Sequence, residues 1–88
     1  MNYIQLELVY KALANRRRVA IVVYLAKVSK VTVGQIAAHI NLSFKSTSRH
    51  LQVLKGVDLV DSDHIRTEQY YHLKNKQNIF IKHLLSAL

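Results

Sequence analysis

Lys45, Ser46, Thr47, Ser48 and Arg49 run consecutively, placing two cations and three hydroxyls where the chain turns to helical apolar spacing. Side chains of these types hydrogen-bond to phosphate oxygens and base edges. Arg and Lys suit guanine, Gln suits adenine, and Ser pairs with either bases or phosphates. On a helix from Phe44 to about Lys55, Thr47, Leu51 and Leu54 recur at i, i+4 and i+7, the spacing of a core-facing stripe. Phe44, Lys45, Ser48, Arg49 and Gln52 gather on the opposite side. Lys45, Ser48, Arg49 and Gln52 are therefore the candidates for base contact. Ser46 and the amides at the helix start, with Ser43 as N-cap, suit phosphate. Arg16 and Arg17 also suit the phosphate backbone, with an ordinary basic surface run as an equal alternative.

Other chemistries find little support. The chain has no cysteine, which removes disulfides and thiolate metal sites. Its five histidines are scattered, whereas zinc requires three or four converging ligands, so neither metal nor cofactor is expected. Ser48 and His50 lie two apart on a helix and point in different directions, with no third group to orient the imidazole. There is no glycine-rich phosphate loop, and the five acidic residues form no evident pair. An enzyme is not expected.

Charge agrees with the first reading. Thirteen Lys and Arg against five Asp and Glu give a formal charge of +8 over 88 residues. Such an excess suits a polyanion, of which nucleic acid is the usual one, although small domains also carry charge for solubility. Half of the residues are apolar, enough for one packed domain spanning residues 1–88. The longest apolar run, Val19 to Ala26, is far short of the roughly 20 residues a membrane helix needs. Three arginines precede it as in a signal peptide, yet no small-residue cleavage site follows. No membrane association and a cytoplasmic location are expected.

The elements that must position the polar helix follow from periodicity and caps. Asn2 to Ala14 reads as a helix apolar on two sides, which needs two partners. Asn15 caps a second helix to about Ser29. Thr32 and Gln35 form a capping-box pattern before a short helix with Val33, Ile36, Ala37 and Ile40 inward. Residues 41–43 make a tight connection into the polar helix. "LVDSDHI" and "EQYYHL" read as strands around a turn near Arg66 and Thr67. The terminal segment from Asn78 is a helix with a wide apolar arc. The order is four helices, two strands and a helix. This mainly α arrangement with a small hairpin is a winged helix-turn-helix.

In these features the chain resembles the ArsR/SmtB family of small dimeric winged-helix repressors, from about Leu13 to Leu73. "LANRRRVAIVVYL" is similar to the family's opening, with Arg18 at the usual arginine. Leu42, Ser43, Ser48, Arg49, His50 and Leu51 resemble its most specific stretch, and "LV" at 59–60 and "YYHL" at 70–73 its wing strands. Several positions depart, among them Asp61 and Asp63, which make the wing partly acidic. Asp58 replaces the usual glycine. Arg66 followed by Thr67 replaces the usual Gly and Arg at the wing tip. Phe44 replaces a glutamine that opens the reading helix; it offers no base-edge hydrogen bond but suits contact with a thymine methyl. Family members that sense metals resemble one another in a terminal-helix ligand set, of which this chain has only His83.

The resemblance implies a homodimer formed through the N- and C-terminal helices. Such a dimer would bind double-stranded DNA at an imperfect inverted repeat and act as a transcriptional repressor. DNA contacts are expected from Ser43, Phe44, Lys45, Ser46, Ser48, Arg49 and Gln52, from Arg16 and Arg17, and from Arg66 on the wing. A protein-interaction module within a larger regulatory assembly is the alternative. It calls for a larger apolar patch on the polar helix. RNA is a weaker alternative, because A-form grooves admit a helix poorly.

Overall fold

The computed structural model describes residues 1–88. Five helices and a small antiparallel sheet follow one another as α1 (Tyr3–Leu13), α2 (Arg16–Lys27), β1 (Val31–Thr32), α3 (Val33–Ile40), α4 (Phe44–Gly56), β2 (Val60–Ile65), β3 (Glu68–Leu73) and α5 (Ile79–Ser86).

Every helix starts on a neutral polar cap. Asn2, Asn15, Thr32, Ser43 and Asn78 each accept a hydrogen bond from amides of the following turn, and Gln5 and Gln35 complete reciprocal capping boxes. No helix has an acidic residue in its first turn, so the positive ends of the helix dipoles are left without a compensating charge.

Two left-handed residues set the chain reversals around α4. Asn41, at φ 54° and ψ 54°, ends α3, and the Leu42 amide reaches back 3.0 Å to the Ala37 carbonyl. Asp58, at φ 62°, ends α4 in the same way, with the Leu59 amide 3.1 Å from the Leu54 carbonyl. Glycine is the commonest residue in such closures. Asp tolerates the conformation better than most, and here Lys74 Nζ also donates to Asp58 Oδ1 at 2.9 Å. That ion pair raises the Lys74 pKa.

The sheet corrects the expected two-stranded hairpin, because it has three strands in the order β1-β3-β2. β1 is only two residues long and pairs Val31 with Tyr71 and Thr32 with Tyr70. A segment of that length has no alternation to detect; it is defined by its partner. The wing itself pairs Val60 with Leu73 through Ile65 with Glu68 around the two-residue turn Arg66-Thr67.

The core lies between α2, α3, α4 and the sheet, with Ile21, Leu25, Ile36, Leu51, Leu54, Leu59 and Tyr71 almost wholly buried. The stripe expected on α4 is the buried one: Thr47, Leu51 and Leu54 have no exposed surface. The outer helices are far less covered. In α1 only Val9 and Ala12 are buried, and in α5 only Ile81. The Tyr10 and Phe80 rings meet edge to face at 5.8 Å where these two helices touch.

Candidate nucleic-acid interface

The α3-turn-α4 unit is a helix-turn-helix, and α4 is held from several sides. Its inner stripe is locked in the core. At its C-terminal half Gln52 Nε2 donates to the Tyr71 hydroxyl at 3.1 Å, and Lys55 Nζ donates to Ser62 Oγ at 2.9 Å. Gln69 Nε2 donates to the same Ser62 oxygen at 2.8 Å, so both wing strands are tied to the end of the helix. Burial raises the Tyr71 phenol pKa, and the bond from Gln52 opposes that only partly.

A guanidinium joins α4 to the other helices. Arg18 Nε donates to the Ala12 carbonyl at 2.6 Å and Nη2 to the Lys11 carbonyl at 3.3 Å, closing the C-terminus of α1. Its Nη1 lies 3.3 Å from His50 Nδ1 on α4. A guanidinium nitrogen can only donate, so Nδ1 is the acceptor and the neutral imidazole is favoured. The His50 pKa is accordingly lowered, first by burial and then by the charges of Arg18 and Arg17.

The outer face of α4 is open. Phe44, Lys45 and Arg49 are exposed, and Ser48 is half-buried one turn after Phe44. Ser43 Oγ accepts the Ser46 amide at 3.1 Å, so that amide is occupied by the cap and the remaining free donors of the first turn precede it. Phe44 and Ser48 share a cleft of about 520 Å³ with Thr32 and Gly34 of the α3 start and with His64, Thr67 and Gln69 of the wing. Gln52 is exposed but its amide is engaged by Tyr71. Arg66 stands at the wing tip at φ 59°, a backbone conformation that usually falls to glycine in a two-residue hairpin turn.

Arg16 and Arg17 are exposed at the start of α2 and take part in none of the chain's ion pairs, which use Lys11, Lys30, His72 and Lys74. They line a separate groove of about 510 Å³ with Lys27, Tyr24 and His39, so the structure does not bring them into the α4 cleft. Three arginines at a helix N-terminus run against its dipole, an arrangement that an anion would relieve.

The histidines are dispersed among different partners. His39 stacks on Tyr24 at 3.8 Å, His50 faces Arg18, and His72 Nε2 lies 3.3 Å from Asp63 Oδ2. Lys30 Nζ is 2.6 Å from the same carboxylate oxygen and is the main cause of the lowered Asp63 pKa. No three His, Asp or Glu side chains converge as a metal site would require. No helix is long and apolar enough to cross a membrane.

The sequence pattern of the bacterial regulatory protein ArsR family matches residues 15–62, from the α2 cap into the first wing strand. The chain belongs to the ArsR family. Its winged helix-turn-helix is thus that of a DNA-binding transcriptional regulator, and the family and fold are not those of an enzyme.

Several solved structures overlay on almost the whole chain. One is the homodimeric winged helix-turn-helix DNA-binding domain of a possible ArsR-family regulator from Mycobacterium bovis. It is similar at 31% identity and a TM-score of 0.83, over 94% of this chain and 74% of that one. HlyU from Vibrio cholerae is similar at 26% identity and a TM-score of 0.83, over 99% of this chain and 97% of that one. NolR from Sinorhizobium fredii is similar at 26% identity and a TM-score of 0.81, over 94% and 79% of the two chains. No curated protein sequence matches the chain.

Sequence reasoning missed what Arg18 does. The residue is visible only as the family's usual arginine; two of its partners are carbonyls at the end of α1, and the third, His50 on α4, is 32 residues away. The engagement of Gln52 by Tyr71 was equally hidden, because the partners are 19 residues apart.

Proposed function

We propose that this ArsR-family regulator acts as a homodimeric repressor that occludes a promoter by reading an imperfect inverted repeat in double-stranded DNA. The observation that carries the reading is the two-sided build of α4. Thr47, Leu51 and Leu54 are buried while Lys45, Ser48 and Arg49 stand outward, with the wing fixed beside them. Lys45 and Arg49 reach base edges in the major groove with Ser48, and Gln52 does so on exchange of its bond to Tyr71. Ser43 and Ser46 at the helix start, with Arg16 and Arg17 on α2, hold phosphates, and Arg66 meets the backbone at the wing.

The dimer is formed by α1 and α5, whose exposed apolar side chains include Tyr3, Ile4 and Leu8 on one helix and Ile79 and Leu85 on the other. The homodimeric state of the Mycobacterium bovis domain supports this assignment. A two-fold axis between them sets the two reading helices about 34 Å apart, one turn of DNA. A protein-interaction module would need a broader apolar patch on α4, where the exposed large apolar groups are Phe44 and Val53.

Selection from a random duplex pool, followed by affinity measurement over a range of salt, tests the reading. The expected outcome is an inverted repeat and a log–log salt slope of several units, because each neutralised phosphate contributes about 0.9. A salt-independent affinity would sink the nucleic-acid assignment.

A further inference from the structure

The exposed large apolar side chains sort by place. Tyr3, Ile4, Leu8 and Tyr10 on α1 and Ile79 and Leu85 on α5, with Met1 and Leu88 beside them at the chain ends, lie where the proposed second protomer would cover them, and Ile65 lies on β2 of the wing. Phe44 belongs to neither place. It is 64% exposed at the first position of α4, and its ring has no aromatic partner in the chain. Val53, the other exposed apolar residue of α4, is nine residues further on, which at 100° per residue places it on the opposite side of the helix. Phe44 is thus a single apolar ring among Lys45, Ser48, Arg49 and Gln52, at the mouth of the cleft shared with the wing.

A helix laid in the major groove brings its N-terminal residues to the base edges. Of the groups displayed there, one is apolar and can pack on a phenyl face: the 5-methyl of thymine. We propose that Phe44 is a specificity-determining residue that selects thymine by packing its ring on this methyl group. The inference rests on the DNA reading of α4 and adds to it a base identity and a contact free of hydrogen bonds. Phe44 neither donates nor accepts, so it discriminates by covering the methyl and by leaving the polar edges of other bases without a partner. Ser48, one turn along the same face, is placed to hydrogen-bond the neighbouring base or phosphate.

Uracil differs from thymine only in lacking that methyl, so it isolates the contact. Thymines of the preferred duplex are replaced one at a time by deoxyuridine, and affinities are measured by fluorescence anisotropy at fixed salt for the wild type and for Phe44→Ala. A buried methyl corresponds to about a fourfold change in affinity for each thymine replaced. At least one thymine in each half-site is expected to show that loss with the wild type and none with Phe44→Ala, which should melt like the wild type because the position is exposed. Wild-type protein indifferent to deoxyuridine at every position would overturn the inference and leave the DNA reading standing. So would a Phe44→Ala variant that keeps the thymine preference, since another residue would then be reading the methyl. Failure of the wild type to prefer any duplex over random DNA would overturn the underlying reading, and the inference with it.

Discussion

The surface made by α1 and α5 and the surface made by α4 and the wing both leave groups in solvent that the chain does not satisfy, but the groups differ in kind. On the first, Tyr3, Ile4 and Ile79 are 93%, 69% and 74% exposed, and the surface lacks apolar cover. On the second, Lys45 and Arg49 lack counter-charges and the reading helix has no acid in its first turn. Apolar area is satisfied by anything apolar of matching shape, and its association weakens little with salt. Unpaired cations seek an anion, and their association is screened by salt. On the proposed function, one small chain would thus engage two partners by different forces, and changes in solution conditions should act on each separately.

The largest break in this contrast is expected on the apolar side. Ile4→Asp would place a carboxylate in each half of the proposed dimer contact, and losing about 1.5–3 kcal/mol of burial twice should weaken dimerisation by two orders of magnitude or more. Sedimentation velocity at micromolar concentration should show monomer, still folded by circular dichroism, with affinity for the inverted repeat reduced to that for a half-site. An undisturbed dimer would remove α1 from the interface.

The polar side should respond more finely. Arg49→Ala is expected to cost about 1–3 kcal/mol on the preferred duplex and to flatten base preference at one position. Arg17→Ala should weaken all duplexes alike and reduce the salt slope by about one. Equal losses for Arg49→Ala on preferred and random DNA would reassign Arg49 to the backbone.

A third change separates the interior of α4 from its outer face. Thr47 Oγ1 is buried without a hydrogen-bond partner. Replacing an unsatisfied hydroxyl by a methyl of similar shape removes its desolvation cost, so Thr47→Val should raise stability by about 1 kcal/mol in urea unfolding with DNA affinity unchanged. Destabilisation would show that the hydroxyl has a partner after all.

The smallest effect concerns pH. The folded state holds the His50 pKa below its ordinary 6.5, whereas the unfolded chain does not. Above that ordinary value both states are neutral and stability is flat. As pH falls through it, the unfolded state takes up a proton that the folded state resists, so stability declines toward acid. His50→Gln should remove this part of the slope, read as the difference between the two proteins' melting temperatures from pH 8 to pH 5.5.

Much of this could be read from the chain because it is encoded locally. A cap and its acceptor sit within three residues, and Thr32 with Gln35 declares a helix start on its own. The stripe at Thr47, Leu51 and Leu54 needs only helical geometry. Asp58 stood out at a glycine position, and its left-handed backbone explains why so few residues fit there. What stayed hidden depends on tertiary partners. β1 exists because Val31 and Thr32 meet Tyr71 and Tyr70, and no property of the dipeptide announces it. Gln52 carries the same polar signal as Ser48, yet only the fold shows that the Tyr71 hydroxyl engages it.

That bond from Gln52 to Tyr71 bears on how such a regulator changes its target over time. Phe44, Lys45 and Arg49 are exposed and make no side-chain hydrogen bond or ion pair within the chain, so on the proposed reading substitution there would alter what is recognised at little cost to folding. On the proposed reading Gln52 is shared between recognition and the attachment of the wing, so a new residue there would have to serve both. Divergence toward a new operator is therefore easiest in the first turn and a half of α4 and slower beyond it, where a change in recognition also disturbs the hairpin.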